Sequence, residues 1–536
     1  MENNRYNHYP FKVYTYDIVD STNAVAKRAI GEFGREFDLT VHVAGSQTKG
    51  RGRKDRAWLN TEEAVLMSIV HRAALSSDRL PMLNLAAAEA VRNALVKLTG
   101  NDIDLSVKWP NDVITSFDMK KICGILSESL YLKGDRFAVI GIGVNLNTGS
   151  IPGDLLQPAS SVYLECGRRF RILDVVNAIL DEYMLQYDLL RSDPDEFLRC
   201  FSKNCISLGS HVAVIRGDET RYGMADRIFG DGRLVVRYED GAIEEVGAAD
   251  VSIRSRGGID DKLIKRILPK RDPKGNKGSN GRAALIVGSG SMPGAALMCS
   301  KACVRAGAGL TRALIPKEIV PSFALVPEVM LVPETESADE LIKWASAVGI
   351  GCGMGVSERT AGLLEKVLRS GKPCVIDADA LNTMASKPEL MALLHAKAVI
   401  TPHPGEMARL LGCETEEVVK NFTASAVDFA NEHGCCVLLK SASSIIVSPK
   451  GAVRYNDRGS SALAKGGSGD VLTGIVASLL AQGAKPYDAA SAGAYLLGVS
   501  AEHAMELLRE RFICASDVTE MISKELERGA GNDTEG

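Results

Sequence analysis

Apolar and polar positions follow two different rhythms along this chain. Up to about residue 203, strand-like apolar runs at 41–47 (VHVAGSQ), 64–70 (AVLMSIV) and 137–147 (FAVIGIGVNLN) are interleaved with helical periodicity over Leu83–Leu98 and Ile172–Leu190. That mixture predicts a mixed α/β domain over 1–203. From Cys205 to Ser255 the pattern becomes short β-rich runs split by Gly-Asp and Asp-Gly turns, with no helical period. A small β-barrel over 204–256 is expected. Residues 254–282 are basic and Gly-rich, which suits a solvated joint and a first helix between larger folded units. Beyond Gly281, strand runs at 283–287, 310–316, 347–351, 373–378, 398–401, 436–440 and 444–447 are separated by helical stretches such as Ala295–Ala306. Such β-α alternation predicts a largely parallel sheet with helices on both faces over 257–530. The fold class is therefore α/β multidomain, and the final RGAGNDTEG reads as a frayed tail.

Composition narrows the function classes. A length of 536 residues predicts three or four domains at about 100–200 residues each. Hydrophobic residues at 46% and charged residues at 24% exclude disorder, coiled coil and collagen-like repeats as the main architecture. The 63 basic and 67 acidic residues leave a formal charge of -4, so no net field argues for nucleic-acid or membrane binding. The basic 254–282 stretch also lacks the interleaved aromatics that base stacking uses. Twelve cysteines are scattered without Cys-x-x-Cys and read as reduced thiols. MENNRYNHYP is no signal sequence, and no run reaches about 18 apolar residues, so a soluble cytoplasmic protein is expected. The eight histidines show no metal-ligating spacing, and any metal should arrive with a nucleotide.

The densest chemical signal in the first half is Gln47-Thr48-Lys49-Gly50-Arg51-Gly52-Arg53-Lys54-Asp55-Arg56-Ala57-Trp58. Glycines let the backbone approach an anion, and Arg supplies planar forks for carboxylate and phosphate oxygens. Asp20-Ser21-Thr22-Asn23 precedes it before a helical run, and Lys108-Trp109-Pro110-Asn111-Asp112, Lys121-Ile122-Cys123-Gly124 and Gly141-Ile142-Gly143-Val144-Asn145 follow it. In this order and spacing, residues 11–255 resemble the biotin protein ligases, with the β-rich segment matching that family's C-terminal domain. The resemblance implies that biotin's carboxylate attacks the α-phosphate of ATP to give biotinyl-5'-AMP. A lysine of a biotin carboxyl carrier protein then attacks that anhydride. It places Ser21, Thr22 and Gln47 in the biotin pocket, Asn23 and Gly50 in the shared biotin/adenylate site, and Arg51, Arg53 and Lys121 as catalytic cations at the carboxylate and phosphate. Trp58 and Asn111 are placed near adenine, and Asp112 near a Mg2+ carried by ATP. Asp55 departs from the family glycine, and only about twenty residues precede Ser21, so the helix-turn-helix of DNA-binding relatives is not expected. Met119-Lys120 reads as an ordinary domain lysine rather than a biotin acceptor.

In the second half, Gly466-Gly467-Ser468-Gly469-Asp470 leads into the helical run GIVASLLAQG. A Gly-rich helix start offers backbone N–H groups and a positive dipole end to a phosphate, with Asp470 placed to take a proton from an attacking hydroxyl. No Gly-x-x-x-x-Gly-Lys-Ser/Thr occurs, and Gly288-Ser289-Gly290-Ser291-Met292-Pro293-Gly294 is one residue too long for a dinucleotide fingerprint. With MPGAA, GIGCGMG, IDADALN and TPHPGE, residues 260–528 resemble the ADP-dependent NAD(P)H-hydrate dehydratases of the ribokinase-like superfamily. The resemblance implies that NAD(P)H hydrate is phosphorylated on its ring hydroxyl and loses phosphate, restoring NAD(P)H. It places Ala295, Gly353, His403 and Asp470 on the hydrated dinucleotide, with Asp470 as general base. Lys440, Ser441, Ala442, Ser443, Ser444 and Gly469 are placed on the adenine nucleotide. Cys352, Ser441 and Ser460 stand where the family has proline, glycine and asparagine. Asp377 and Asp379 read as a metal pair or as strand-end helix caps.

The expectation is a bifunctional enzyme, ligase and lyase, using ATP, ADP and Mg2+. The alternatives are an active ligase whose second half is a small-molecule kinase or only binds nucleotide, and a biotin-sensing transcription factor. Partners are the carrier protein and small molecules, without nucleic acid or membrane, and a homo-oligomer is left open.

Overall fold

The computed structural model describes the chain except residues 1–3, 53–57, 59–62, 73–74, 117–118, 133, 152–157, 249–251, 257, 273, 334–337 and 531–536. It divides into two compact units, Met1–Ser255 and Arg256–Gly536.

The first unit is built on an eight-stranded sheet in the spatial order Asn4–His8, Phe11–Val19, Thr40–Gln47, Val65–Arg72, Asp135–Val144, Lys121–Leu132, Asp112–Thr115 and Leu105–Lys108. All of its pairings are antiparallel except that between Phe11–Val19 and Thr40–Gln47. Side chains on alternate strand positions go to opposite faces, so each face meets its own helices. Ile69 and Ile140 join the large core that holds the helices Met82–Thr99 and Ile172–Ser192. Their neighbours Val70 and Val139 point the other way, onto Ala26 and Ile30 of the helix Thr22–Phe33. A five-stranded sheet follows, in the order Ile243–Val246, Leu234–Tyr238, Glu219–Ile228, His211–Arg216 and Ser252–Arg256. Fully buried Trp109 reaches it, its indole Nε1 donating to Gly232 O at 2.9 Å.

The second unit centres on nine strands in the order Met330–Pro333, Leu310–Ile315, Arg282–Ile286, Ala347–Ile350, Cys374–Ile376, Ala398–Ile400, Cys436–Leu439, Ser444–Val447 and Val453–Asn456. The first seven are parallel and the last two close with antiparallel pairings. Both faces are covered, as parallel sheets require. Ala283, Leu285, Val375 and Val399 face the core around the helices Pro293–Arg305 and Ser468–Ala481, whereas Ala284, Ile286, Cys374 and Ile376 face the opposite one.

The expected solvated joint is corrected in part. Ile259 N–H donates to Tyr455 O at 2.9 Å, and Ile259, Leu263 and Ile264 are buried in the second core. The helix Asp261–Ile267 is thus part of that unit, because Leu263 and Ile264 pack into its core while Asp261, Lys265 and Arg266 are exposed. No described helix is long and apolar enough to cross a membrane.

Candidate active sites

In the first unit two polar clusters sit on one face of the strand Asp135–Val144. Gly141 and Gly143 are two positions apart and therefore on the same side. A Cβ on Gly141 would lie 2.5 Å from Asn23 Oδ1, and one on Gly143 would lie 2.7 Å from the Trp58 ring. The glycines are seats that only hydrogen can occupy. Gly124, paired across the sheet with Gly143, completes the indole's seat, a Cβ there falling 2.8 Å from the ring.

Around Asn23 the contacts are tight. Thr22 N–H and Oγ1 donate to Gln47 Oε1 at 2.8 and 3.3 Å, and Ser68 Oγ donates to Asn23 Oδ1 at 2.6 Å. Asn23 Nδ2 donates to Glu128 Oε2 at 2.8 Å. Ser21 is the extended N-cap residue of the helix, but its side chain makes no capping bond there. Around Trp58, the backbone N–H donates to Gly50 O at 3.1 Å and the buried indole Nε1 has no hydrogen-bond partner. The Lys121 ammonium stands 5.6 Å from the ring centroid and 2.6 Å from Asp112 Oδ1. The ammonium is thus held between a π-face and a carboxylate.

The sequence-derived residues Thr22, Asn23 and Gln47 thus meet in one cluster, and Gly50, Trp58, Asp112 and Lys121 in the other. Asn111 ties its own neighbourhood together, its Nδ2 donating to Ile125 O at 2.7 Å. Arg51 is exposed on the loop, while Arg53 and Asp55 lie outside the described residues. Ser68 and Glu128 were not singled out from sequence, since each sits inside an ordinary strand pattern. Lys120 pairs with Glu165 at 3.5 Å, as an ordinary surface lysine does.

In the second unit the site gathers at the start of the helix Ser468–Ala481, entered through Gly467 at φ 99°. Gly474, in its second turn, lets the neighbouring helix come close, since a Cβ there would be 2.2 Å from Cys299 O. Asp470 lies in the first turn. Burial pushes its carboxyl up to about 6, with Asp377 and Asp379 adding to the rise while the Cys352 thiol and Lys440 oppose it.

Lys440 follows the strand Cys436–Leu439, and its ammonium lies 2.8 Å from Asp377 Oδ1 and 3.8 Å from Glu406 Oε2. Burial works against that charge, yet the two carboxylates win and raise its pKa. A Cβ on Gly469 would stand 3.5 Å from both the Lys440 Nζ and Asp377 Oδ2, so Lys440, Gly469 and Asp470 do converge. Ala295 and Gly353 also meet, a Cβ on Gly353 falling 2.8 Å from the Ala295 methyl.

His403 is the N-cap of the helix Pro404–Leu411, its Nδ1 accepting from Gly405 N–H at 3.1 Å and Glu406 N–H at 3.4 Å. Glu406 Oε2 accepts from His403 N–H at 2.9 Å, completing a capping box. On the half-exposed ring, Nε2 lies 3.6 Å from Glu406 Oε1. Ser441, Ala442, Ser443 and Ser444 lie at the turn between the strands Cys436–Leu439 and Ser444–Val447. There Ser444 Oγ donates to Ser441 O at 3.0 Å and Ser443 Oγ bonds Asp457. Ser460 caps a short 3-10 turn, accepting from Ala462 N–H at 3.2 Å.

Asp377 and Asp379 diverge. Asp379 Oδ2 accepts from Gly355 N–H at 2.7 Å, whereas Asp377 turns inward to Lys440 and to Thr473 Oγ1 at 2.8 Å. The inward role of Asp377, with Glu406 and Thr473, had no local sequence signal.

Known proteins resemble the two halves of the chain separately. A family model described as NAD(P)H-hydrate dehydratase matches residues 283–525. Models of the biotin/lipoate A/B protein ligase family and of the biotin protein ligase C terminal domain match 16–147 and 207–254. The ADP-dependent (S)-NAD(P)H-hydrate dehydratase of Neisseria meningitidis is 36% identical over 245 residues, covering 44% of this chain and 81% of that protein. The bifunctional NAD(P)H-hydrate repair enzymes of Moorella thermoacetica and Escherichia coli are 37% and 38% identical over 48% of this chain. The chain spans about half the length of those two relatives, 51% and 50%. A biotin protein ligase structure from Aquifex aeolicus, with biotin and ATP, is 28% identical and covers 45% of this chain and 98% of its own at a TM-score of 0.39. The chain belongs to the NAD(P)H-hydrate dehydratase family through its second half and carries a biotin/lipoate A/B protein ligase family domain in its first.

Proposed function

We propose that the chain is a bifunctional enzyme that adenylates biotin for transfer to a carrier-protein lysine and dehydrates NAD(P)H hydrate with an adenine nucleotide. Its parts are a ligase domain over 1–203, a small barrel over 204–256 and a ribokinase-like dehydratase domain over 257–530. The observation that carries the reading is the meeting of Asp470, Gly469 and Lys440 at one helix start.

A carboxyl held near 6 is ionised enough at neutral pH to accept a proton and basic enough to want one. Asp470 takes the proton of the nicotinamide-ring hydroxyl as its oxygen attacks the terminal phosphoryl group of ADP or ATP. Lys440 and the helix N–H groups oppose the charge that builds on the phosphate oxygens. The ring nitrogen's electron pair then expels inorganic phosphate, and the resulting iminium loses a proton from the adjacent ring carbon, which restores the ring C=C double bond. Ala295, Gly353 and His403 line the dinucleotide side, and the 441–444 turn holds the nucleotide.

In the ligase unit, Lys121, Arg51 and Arg53 screen the biotin carboxylate as it attacks the ATP α-phosphate, which lowers anion–anion repulsion. Thr22, Asn23 and Gln47, with Ser21, hold biotin's polar end, and Trp58 and Asn111 face the adenylate. Asp112 offers one carboxylate to Mg2+, a donor set suited to an ion arriving with ATP and too small for a protein-built site. A biotin carboxyl carrier protein is the partner that accepts the acyl group.

The test is to mix the chain with NADH hydrate and ADP, then ATP, and follow the return of reduced-nicotinamide absorbance. Nucleotide-dependent recovery is expected. A stable phosphorylated product without recovery would instead mark a small-molecule kinase. Biotin-dependent release of pyrophosphate from ATP, followed by labelling of a carrier lysine, tests the ligase half.

A further inference from the structure

The Lys440 ammonium is held by a buried acid at the end of a central strand. Asp377 follows the strand Cys374–Ile376 and is 1% exposed. Its Oδ1 takes Lys440 Nζ at 2.8 Å and Ala378 N–H at 2.9 Å, and its Oδ2 takes the Thr473 hydroxyl at 2.8 Å. One carboxylate thus bonds both a strand-end lysine 63 residues away and the second turn of the helix that carries Asp470. A charge so enclosed is stable only with its partners in place, and here every partner belongs to the site.

We propose that Asp377 is a positioning residue for phosphoryl transfer: it clamps the Lys440 ammonium and the Thr473 hydroxyl so that the cation faces the nucleotide phosphate instead of pairing with Asp470. The proposal rests on the phosphoryl-transfer reading above and deepens it. The physical reason is competition. Lys440 has three acids within reach of its field: Asp377, Glu406 and, across the helix start, Asp470. If the ammonium paired with Asp470, it would weaken the base and leave the phosphate unscreened. Asp377 wins because its oxygens are nearest and cannot move toward solvent, while Glu406 is held by the His403 backbone.

The groups facing Asp470 are Cys352, Asp377, Asp379 and Lys440, with Cys299 behind Cys352. Removing the charge of Asp377 takes away a neighbour that raises the Asp470 pKa and releases an ammonium that lowers it. Both changes have the same sign, so the acidic limb of the rate profile moves to lower pH.

The experiment compares full-length Asp377→Asn, Asp377→Glu and Thr473→Val with the parent chain. For Asp377→Asn, kcat for hydrate dehydration should fall about 100-fold, the acidic limb should move down by about a pH unit, and ADP measured by calorimetry should bind about tenfold more weakly. Thr473→Val, which removes only the helix tie, should lose a few-fold in kcat with the limb unmoved. Asp377→Asn matching Thr473→Val in rate and limb overturns the clamp, leaving Asp377 as scaffold. Where Asp377→Asn does not fold, Asp377→Glu decides: reduced kcat with the limb in place supports a displaced ammonium, and parental kcat overturns it. If the parent chain fails to turn over the hydrate, the functional reading falls, yet ADP calorimetry still judges the clamp. Weaker binding in Asp377→Asn supports it, and unchanged binding overturns it.

Discussion

Both sites set a lysine against an aspartate, but the two sheets assemble the pair in opposite ways. In the ligase unit Asp112 and Lys121 are nine positions apart and belong to consecutive antiparallel strands. In the dehydratase unit Asp377 and Lys440 come from the carboxyl ends of two parallel strands with Ala398–Ile400 between them. Antiparallel neighbours can be joined by short turns, which keeps this one pair near in sequence. Parallel strands need a crossover each, so their carboxyl ends collect residues from distant stretches of chain, which is where open α/β sheets bind ligands. The ligase pair therefore reads as a motif, and the dehydratase pair emerges only after folding.

The largest test of this contrast is a crossed pair of variants. Asp470→Ala should lower hydrate dehydration by about 10³-fold, read as reduced-nicotinamide absorbance, with biotin-dependent pyrophosphate release retained. Lys121→Met should do the reverse, lowering pyrophosphate release about 10²-fold with dehydration retained. Loss of both activities in either variant would break the separation of the two sites.

A smaller expected effect concerns pH. The acidic limb of kcat/KM for the hydrate should titrate near 6, because the base role proposed for Asp470 needs its carboxylate form and burial pushes that carboxyl up to about 6. Activity should therefore rise as pH increases from 5 to 7. A limb near 4 would mean that the carboxyl is solvated. The smallest effects are on stability. Gly143→Val drives a side chain into the Trp58 seat and should cost about 1–3 kcal/mol, seen as a lower melting transition together with weaker biotin-dependent turnover. Ile30→Val, in the small core beneath the Thr22–Phe33 helix, should cost about 0.5–1.5 kcal/mol with both activities unchanged.

The sequence was most legible where periodicity and burial coincide. The helices over Met82–Thr99 and Ile172–Ser192 lie where the apolar spacing placed them, because their stripes face a continuous core. The β-α alternation of the second half was equally plain, since strands buried on both faces are short and uniformly apolar. By contrast, Lys121–Leu132 carries Ser127 and Glu128 at half-buried positions and Ser129 at an exposed one, which hides a twelve-residue strand. Charges masked Ile259, Leu263 and Ile264 in the supposed joint, as only one side of that short helix is apolar. Of the site residues, Asp470 and Lys121 stood in recognisable surroundings, whereas Asp377 and Glu406 gain their meaning from contacts no linear pattern records.

The burial of Ile259 bears on how two genes could have become one. The strand Ser252–Arg256 belongs to the first unit's five-stranded sheet, and Gly258 already bridges to Tyr455 of the second. Only position 257 separates the two commitments. A splice placed in the basic, Gly-rich 268–281 stretch would strip the second unit of its opening helix, so the seam available to recombination, or to anyone expressing the halves apart, is about one codon wide.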